Sequence, residues 1–214
     1  MAKYSTCSKT SSQYVDRTPT SLKYSTMNYY NTIARSYDEL YGSEQLAKYS
    51  AAVRTRPKGR VLDVGCGVGL FYGYLLKYLR VEPEIYVGID ISYRSLRELR
   101  HRYRSSGIVE VVAADAEYPP LREKPGFTHL YAFTLYACDY GTIKPLLSVI
   151  DMSNIEEAAV TLLCRDRRAR CPEGFAEAGY LNRVEVLCVK VPPGGFEPPT
   201  PRSPGDLQPG ALPG

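Results

Sequence analysis

The chain has 214 residues, 44% of them hydrophobic, which is enough for one folded domain with a buried core. It contains no run of 18 apolar residues and no apolar stretch near its first residue, so the sequence predicts neither a membrane-spanning helix nor a secretory signal. The net charge of +4 is too small to establish a nucleic-acid partner. The six cysteines form no C-x-x-C pair, so we expect no metal site, reduced thiols and a cytoplasmic location.

The two ends of the chain differ in composition from the middle. Residues 1–27 are rich in Ser, Thr and Tyr and lack apolar periodicity, so we expect this segment to be disordered. Residues 192–214 hold 8 of the 16 prolines and 5 of the 17 glycines, a composition that predicts a disordered tail. The predicted folded unit is therefore the segment from residue 28 to residue 191.

Within this unit, short apolar runs alternate with helical patterns. Apolar residues recur at helical spacing after residue 69, and a second helix is expected to begin near Ser92, with Leu96 and Leu99 on one face. This alternation predicts an α/β fold, with a Rossmann-like, mostly parallel sheet and helices on both faces. Ligands of such sheets bind outside the carboxyl ends of the strands. The six predicted strands are residues 60–64, 84–90, 109–114, 128–133, 158–163 and 184–189.

A glycine cluster between the first strand and the first helix is the main chemical signal. Glycine lets a ligand approach the backbone closely, and the helix that follows presents free N–H groups and a positive dipole end. A dinucleotide phosphate would suit such a turn, but Asp63 would repel it and would instead suit a cationic ammonium group. Leu70 also occupies the place where the dinucleotide fingerprint G-x-G-x-x-G needs its third glycine. Three successive strands end on or beside an acid, namely Asp63, Asp90 and Asp115.

These residues resemble the motifs of the class I S-adenosylmethionine-dependent methyltransferases. The first motif is Val61-Leu62-Asp63-Val64-Gly65-Cys66-Gly67-Val68-Gly69, the second is Val87-Gly88-Ile89-Asp90-Ile91-Ser92, and the third is Ala113-Ala114-Asp115-Ala116. Residues 29–41 are similar to the N-terminal lid of the small methyltransferases that include the quinone C-methylating enzymes. The resemblance implies S-adenosyl-L-methionine as cofactor and methyltransferase activity. The family sheet normally ends in an inserted antiparallel strand, and no seventh strand can be drawn from the proline-rich residues after residue 189.

The resemblance also implies which residues contact the cofactor. Backbone N–H groups of the glycine turn would hold the methionine moiety, with Asp63 near its ammonium group. Asp90 would accept hydrogen bonds from both ribose hydroxyls, because its two oxygens match the separation of a diol. Asp115 would accept from the adenine amine, with the N–H of Ala116 directed at a ring nitrogen. The remaining expected contacts are Gly65, Cys66, Gly67, Gly69, Ile91 and, from the lid, Tyr37.

The sequence indicates much less about the methyl acceptor than about the cofactor. The aspartate of many relatives is replaced by Thr128, there is no N-P-P-Y tetrapeptide, and His129 is only a weak candidate for a base. Residues 134–139 are expected to lie beside the transferred methyl group. The arginines after the fifth strand, Arg165, Arg167 and Arg168, could bind RNA, although we favour a small-molecule acceptor. Two other functions stay open: a nicotinamide-dependent oxidoreductase and a non-catalytic binding protein.

Overall fold

The computed structural model describes residues 19–122, 125–137, 143–164, 170–181 and 185–191. Five helices are defined in this part of the chain: α1 (Pro19–Ile33), α2 (Tyr37–Ala52), α3 (Leu70–Tyr74, continued by a π-helical turn, Leu75–Leu79), α4 (Tyr93–Arg102) and α5 (Lys144–Val149). The seven strands are β1 (Arg60–Val64), β2 (Ile85–Asp90), β3 (Val109–Ala113), β4 (His129–Ala137), β5 (Glu157–Leu163), β6 (Phe175–Tyr180) and β7 (Glu185–Lys190). The predicted tail, residues 192–214, lies outside the described residues.

The strands form a single sheet with the order β3-β2-β1-β4-β5-β7-β6. The first five strands in this order are parallel, and β7 runs antiparallel between β5 and β6. The predicted α/β fold is therefore confirmed, but the expectation that the sheet lacks its last strand is wrong. The sequence FAEAGY pairs with β7 and forms β6 although Ala, Glu and Gly are poor strand formers.

The N-terminal segment departs from its predicted disorder. Residues 19–27, which lack apolar periodicity, form the first half of α1. The hydroxyl groups of Thr26 and Thr32 donate to the carbonyl oxygens four residues earlier, and the Asn31 side chain accepts from the hydroxyl of Ser92 at the start of α4. The contact of Asn31 with Ser92 and the ion pairs of Lys23 with Asp115 and Glu117 join this helix to the rest of the domain. No helix in the described ranges is long and apolar enough to cross a membrane.

Apolar side chains bury both faces of the sheet. In β1, Val61 packs with aromatic residues of α2 and α3, whereas Leu62 points to the opposite face and packs with α5. The alternation follows from the two-residue period of a strand. Ser92 caps α4 as predicted, because its hydroxyl accepts from the N–H of Ser95, and Leu99 of this helix is fully buried.

The expectation of reduced thiols is wrong for part of the chain. Cys171 and Cys188 form a disulfide that ties the segment before β6 to β7, and Cys164 is also disulfide-bonded. Cys66 is a buried free thiol. Sequence spacing did not reveal these bonds, because the antiparallel pairing of β6 with β7 brings the two sulfur atoms together across 17 residues.

Candidate cofactor-binding site

A cavity of about 290 Å³ opens at the carboxyl ends of the parallel strands. The loops after β1, β2 and β3 form its floor, the end of β4 forms one side, and α1 crosses above them. The cavity contains the predicted residues Gly65, Gly67, Asp90, Ile91, Asp115, Ala116 and Tyr37. The structure therefore brings together most of the residues that the sequence selected. Four lining residues of α1 were missed: Leu22, Lys23, Thr26 and Tyr30.

The glycine turn has the backbone conformation that its sequence requires. The φ angles of Gly65, Gly67 and Gly69 are 77°, 53° and 82°, a region that side chains disfavour. A Cβ atom at Gly67 would meet nothing within 4 Å, so the turn leaves open space on the cavity side. A Cβ atom at Gly69 would lie 2.7 Å from the Leu99 side chain, so this glycine allows α4 to pack closely.

Four N–H groups of the turn already have partners within the protein. Those of Gly65 and Cys66 donate to the carbonyl oxygen of Ile89, at 2.7 and 3.1 Å. The N–H of Gly67 donates to Asp90, and that of Gly69 to the carbonyl oxygen of Cys66. The role of these four amides in holding the methionine moiety stays a prediction. Cys66 itself faces a small adjoining cavity, where its sulfur atom packs against Gly88.

Asp90 ends β2 beside the glycine turn and faces the cavity. One carboxylate oxygen accepts from the N–H of Gly67 at 2.8 Å, and the other accepts from the N–H of Ser92 at 2.7 Å. Burial raises the pKa of this carboxyl group, and the backbone N–H groups of Ser92, Gly67 and Ile91 partly offset that effect. A carboxylate offers about four lone-pair sites, so that of Asp90 can still accept a hydrogen bond from a hydroxyl group of a ligand.

Asp63 lies below the glycine turn and lines the small adjoining cavity rather than the large one. Its carboxylate accepts a hydrogen bond from the Tyr86 hydroxyl, and the side chain is 3% exposed. Burial raises the pKa of Asp63 to about 7, and the charge of Asp90 adds to this rise. The group can therefore gain or lose its negative charge close to neutral pH.

Asp115 lies in the loop after β3, and both of its oxygens are engaged. One oxygen is 2.8 Å from the ammonium of Lys23, and the other accepts from the N–H of Glu117. Lys23 also pairs with the carboxylate of Glu117. Burial alone would lower the pKa of Lys23, but the two carboxylates outweigh that effect and raise it.

Tyr37 stands at the junction of the two cavities. Its ring contacts those of Tyr30 and Tyr41, with centroid separations of 6.2 and 5.2 Å. Burial raises the pKa of the Tyr37 hydroxyl, so this group is neutral at physiological pH. The tyrosine cluster shields one side of the site from water.

Thr128 and His129 lie at the opposite end of the sheet. His129 begins β4, where it pairs with Val61 at the start of β1. Its ring is 2% exposed, contacts the Thr128 hydroxyl at 2.9 Å, and has a pKa lowered by burial. The hypothesis that His129 is a catalytic base is therefore wrong. The arginines predicted to bind RNA, Arg165, Arg167 and Arg168, lie outside the described residues, as do residues 138 and 139 of the predicted acceptor segment.

The residues present suit S-adenosylmethionine. Three carboxylates, those of Asp90, Asp115 and Glu117, line the cavity with a single cation from the described residues, Lys23. The resulting negative potential favours a ligand that carries ammonium and sulfonium charges over a pyrophosphate. No group of acidic, histidine or cysteine side chains in the described part of the chain could hold a metal ion.

Comparisons with known proteins agree with this arrangement. Residues 61–150 match the model of a methyltransferase domain. The structure is similar to that of the DhpI-SAM-HEP complex, with 18% identity, a TM-score of 0.54, and coverage of 81% of this chain and 84% of the other. It is also similar to magnesium protoporphyrin IX methyltransferase from Synechocystis PCC 6803 with bound SAM, with 18% identity, a TM-score of 0.55, and coverage of 78% and 95%.

Curated relatives match over a much shorter stretch. The mRNA cap guanine-N(7) methyltransferase of Cryptococcus neoformans is 45% identical over 49 residues, which are 23% of this chain and 7% of that protein. The corresponding enzyme of Eremothecium gossypii is 49% identical over 49 residues, which are 23% of this chain and 11% of that protein. This chain thus matches about a tenth or less of the length of these relatives.

Proposed function

We propose that the chain, in which residues 61–150 match a methyltransferase domain, is a class I S-adenosylmethionine-dependent methyltransferase that transfers a methyl group from S-adenosylmethionine to a small-molecule acceptor. The cofactor supplies the methyl group on a positively charged sulfonium, which carries its own leaving group. The protein then has to align the two reactants and exclude water. The observation that carries the proposal is the carboxylate of Asp90, which faces the cavity at the end of β2 and is fixed by the amides of Gly67 and Ser92.

We assign the ribose to Asp90, whose orientation is set before any ligand arrives. Its two oxygens would each accept from one ribose hydroxyl. The ammonium of the methionine moiety is assigned to Asp63, which becomes anionic near neutral pH. In this arrangement the cationic end of the cofactor lies over the glycine turn, where a Cβ at Gly67 would meet open space.

We assign the adenine end to Asp115 and the neighbouring Ala116. The exocyclic amine of adenine would compete with the Lys23 ammonium for the Asp115 carboxylate. Ile91 lines the same part of the cavity and offers an apolar surface. Tyr37 covers the opposite end, and its neutral hydroxyl keeps additional charge away from the sulfonium.

The form of the cavity supports a small acceptor. Side chains of α1, from Leu22 to Tyr30, form a wall of the same cavity that Asp90 lines, so an acceptor has to fit beneath this helix. An RNA acceptor is the second candidate, because 49 residues are 45–49% identical to mRNA cap guanine-N(7) methyltransferases. Transfer of a labelled methyl group to capped RNA, with loss of transfer after substitution of Arg165, Arg167 and Arg168, would favour RNA.

Calorimetry with S-adenosylhomocysteine tests the proposed function. Because a charge-assisted hydrogen bond contributes roughly 1.5–3 kcal/mol, Asp90→Ala should weaken binding by about ten- to a hundredfold. Glu110→Ala is the matched control, since Glu110 is exposed on β3 and should have no effect. A folded wild-type chain that does not bind S-adenosylhomocysteine would contradict the proposal. Equal binding by both variants would contradict only the role of Asp90.

Two further measurements separate the remaining alternatives. A rise in melting temperature with NAD(H) but not with S-adenosylhomocysteine would favour an oxidoreductase, and binding without release of a methyl label would favour a non-catalytic protein. We also propose a cytoplasmic location. The disulfide between Cys171 and Cys188 tests it, because cytosolic proteins are kept reduced. If the chain resides there, both cysteines should be alkylated when cells are quenched in acid and the chain is denatured before the reagent is added, because Cys188 is buried in the folded protein.

A further inference from the structure

The end of β4 is distorted where it meets the cavity. The pairing of β4 with β5 shifts register between Ala132 and Tyr136, which is the signature of a bulge. Within it, Thr134 has a φ angle of 56°, a costly conformation for a β-branched residue. Its N–H donates to the Thr161 hydroxyl at 2.7 Å. Bulges and left-handed residues of this kind are concentrated at functional sites, where they redirect a side chain.

Behind Thr134 lies a buried charge network. The Lys48 ammonium is 2.7 Å from Glu185 and 2.7 Å from Glu44, and the side chains of Lys48 and Glu185 are 2% and 1% exposed. Lys48 also donates to the Thr134 hydroxyl at 2.6 Å. Burying an ion pair costs much of the attraction that the pair provides, so such a network is weak evidence of a purely stabilising role.

The network fixes the direction of the hydrogen bonds that the Thr134 hydroxyl makes. Its single proton is donated to Glu185 at 3.2 Å, and one of its lone pairs accepts from Lys48. The second lone pair meets only the amide of Gln45, at 3.5 Å, which is a weak contact. A ligand group that approaches this oxygen must therefore donate a hydrogen bond.

We infer that Thr134 is the binding subsite for the nucleophilic group of the methyl acceptor and that this group is an O–H or an N–H. The inference rests on the proposed function. Thr134 lines the cavity between Phe133 and Leu135, so the body of the acceptor lies against apolar walls. A hydrogen bond to Thr134 directs the hydrogen of the nucleophile toward the protein and leaves its lone pair free for the methyl group. As the lone pair forms the new bond to the methyl carbon, the carbon–sulfur bond of the cofactor breaks, S-adenosylhomocysteine leaves, and the methylated group then releases its proton to water. Lys48 and Glu185 are positioning residues, because both contact the Thr134 hydroxyl and neither lines the cavity.

Phenol and anisole are matched probes for this subsite, because they differ in the hydrogen-bond donor. We expect the chain loaded with S-adenosylhomocysteine to bind phenol about fivefold more tightly than anisole in ligand-observed NMR titrations. Thr134→Val should abolish this preference, and Thr134→Ser should keep it. Binding of S-adenosylhomocysteine should be unchanged in both variants, which separates a failure of this subsite from a failure of the cofactor site.

The double variant Lys48→Met/Glu185→Leu tests the positioning role. It replaces the buried charges with apolar groups of similar size, a change that folded proteins tolerate. In this variant the Thr134 hydroxyl keeps its weak contact with Gln45 but loses both charged partners that fix its direction, so the preference for phenol should fall while the melting temperature stays the same or rises. A wild-type chain that binds both probes equally, or that does not bind phenol up to its solubility limit, would overturn the inference. So would a Thr134→Val variant that keeps the preference.

Discussion

The ammonium of Lys23 lies 2.8 Å from the carboxylate of Asp115 and thereby joins α1 to the loop after β3. Both side chains are about one-third exposed, so the ion pair contributes little to the stability of the fold. Its position is more important, because Lys23 occupies the carboxylate that we assign to adenine and is a cation in a site for a cationic ligand.

Lys23→Met should therefore strengthen cofactor binding. The variant keeps the apolar stem of the side chain, releases Asp115 and removes one positive charge from the cavity wall. Affinity for S-adenosylmethionine should rise by about two- to fivefold, and affinity for the uncharged thioether S-adenosylhomocysteine should rise less. Calorimetry with both ligands measures the difference, and the effect should shrink as salt is added. A loss of affinity for both ligands would mean that Lys23 holds α1 over the site instead.

Gly69→Ala should destabilise the fold by about 1–3 kcal/mol. The substitution forces a side chain into a left-handed conformation and brings its Cβ atom within 2.7 Å of Leu99. Gly42→Ala provides the contrast, because Gly42 lies within α2 and a Cβ atom there meets nothing within 4 Å. The free energy of unfolding of that variant should rise by roughly 0.5–1 kcal/mol, because alanine has a higher helix propensity than glycine. Urea denaturation followed by circular dichroism measures both, and equal effects would refute the packing argument.

Cys171→Ala should lower the free energy of unfolding by about 3 kcal/mol under oxidising conditions. The disulfide closes a loop with a sequence separation of 17, and loops of this length gain roughly that much from the loss of entropy in the unfolded chain. The difference from the wild type should largely vanish in excess dithiothreitol, which reduces the bond in both proteins. A difference of the same size with and without reductant would assign the effect to packing rather than to the cross-link.

The sequence predicted the site best where neighbouring residues alone determine the local structure. The glycine turn and the acids at the ends of β1, β2 and β3 follow directly from strand and turn chemistry, and the parallel sheet brings them together. Lys23 was missed because its helix is fixed by tertiary contacts and not by apolar periodicity. The strand β6 was missed because its sequence has low strand propensity.

The acceptor subsite could not have been derived from the sequence. Lys48, Thr134 and Glu185 belong to α2, β4 and β7, and only the insertion of β7 beside β5 brings Glu185 to the carboxyl edge of the sheet. The sequence predicted only that residues 134–139 lie beside the transferred methyl group, and this stays a prediction. The direction of the hydrogen bonds of the Thr134 hydroxyl depends on Lys48 and Glu185, which are 86 and 51 residues away along the chain.

The pKa of Asp63, raised to about 7 by burial, makes the stability of the fold depend on pH. In the unfolded chain this carboxyl titrates near 3.8, so folding favours its protonated form between these two values. The free energy of unfolding should therefore fall as the pH rises from about 4 to about 7, because the folded state binds the proton more tightly. Asp63→Asn keeps the shape and the contact with Tyr86 but cannot ionise. Urea denaturation should show similar stabilities for the two proteins near pH 3.5, below the pKa of the unfolded chain, and a more stable variant near pH 8. Parallel pH profiles for the wild type and Asp63→Asn would contradict the prediction.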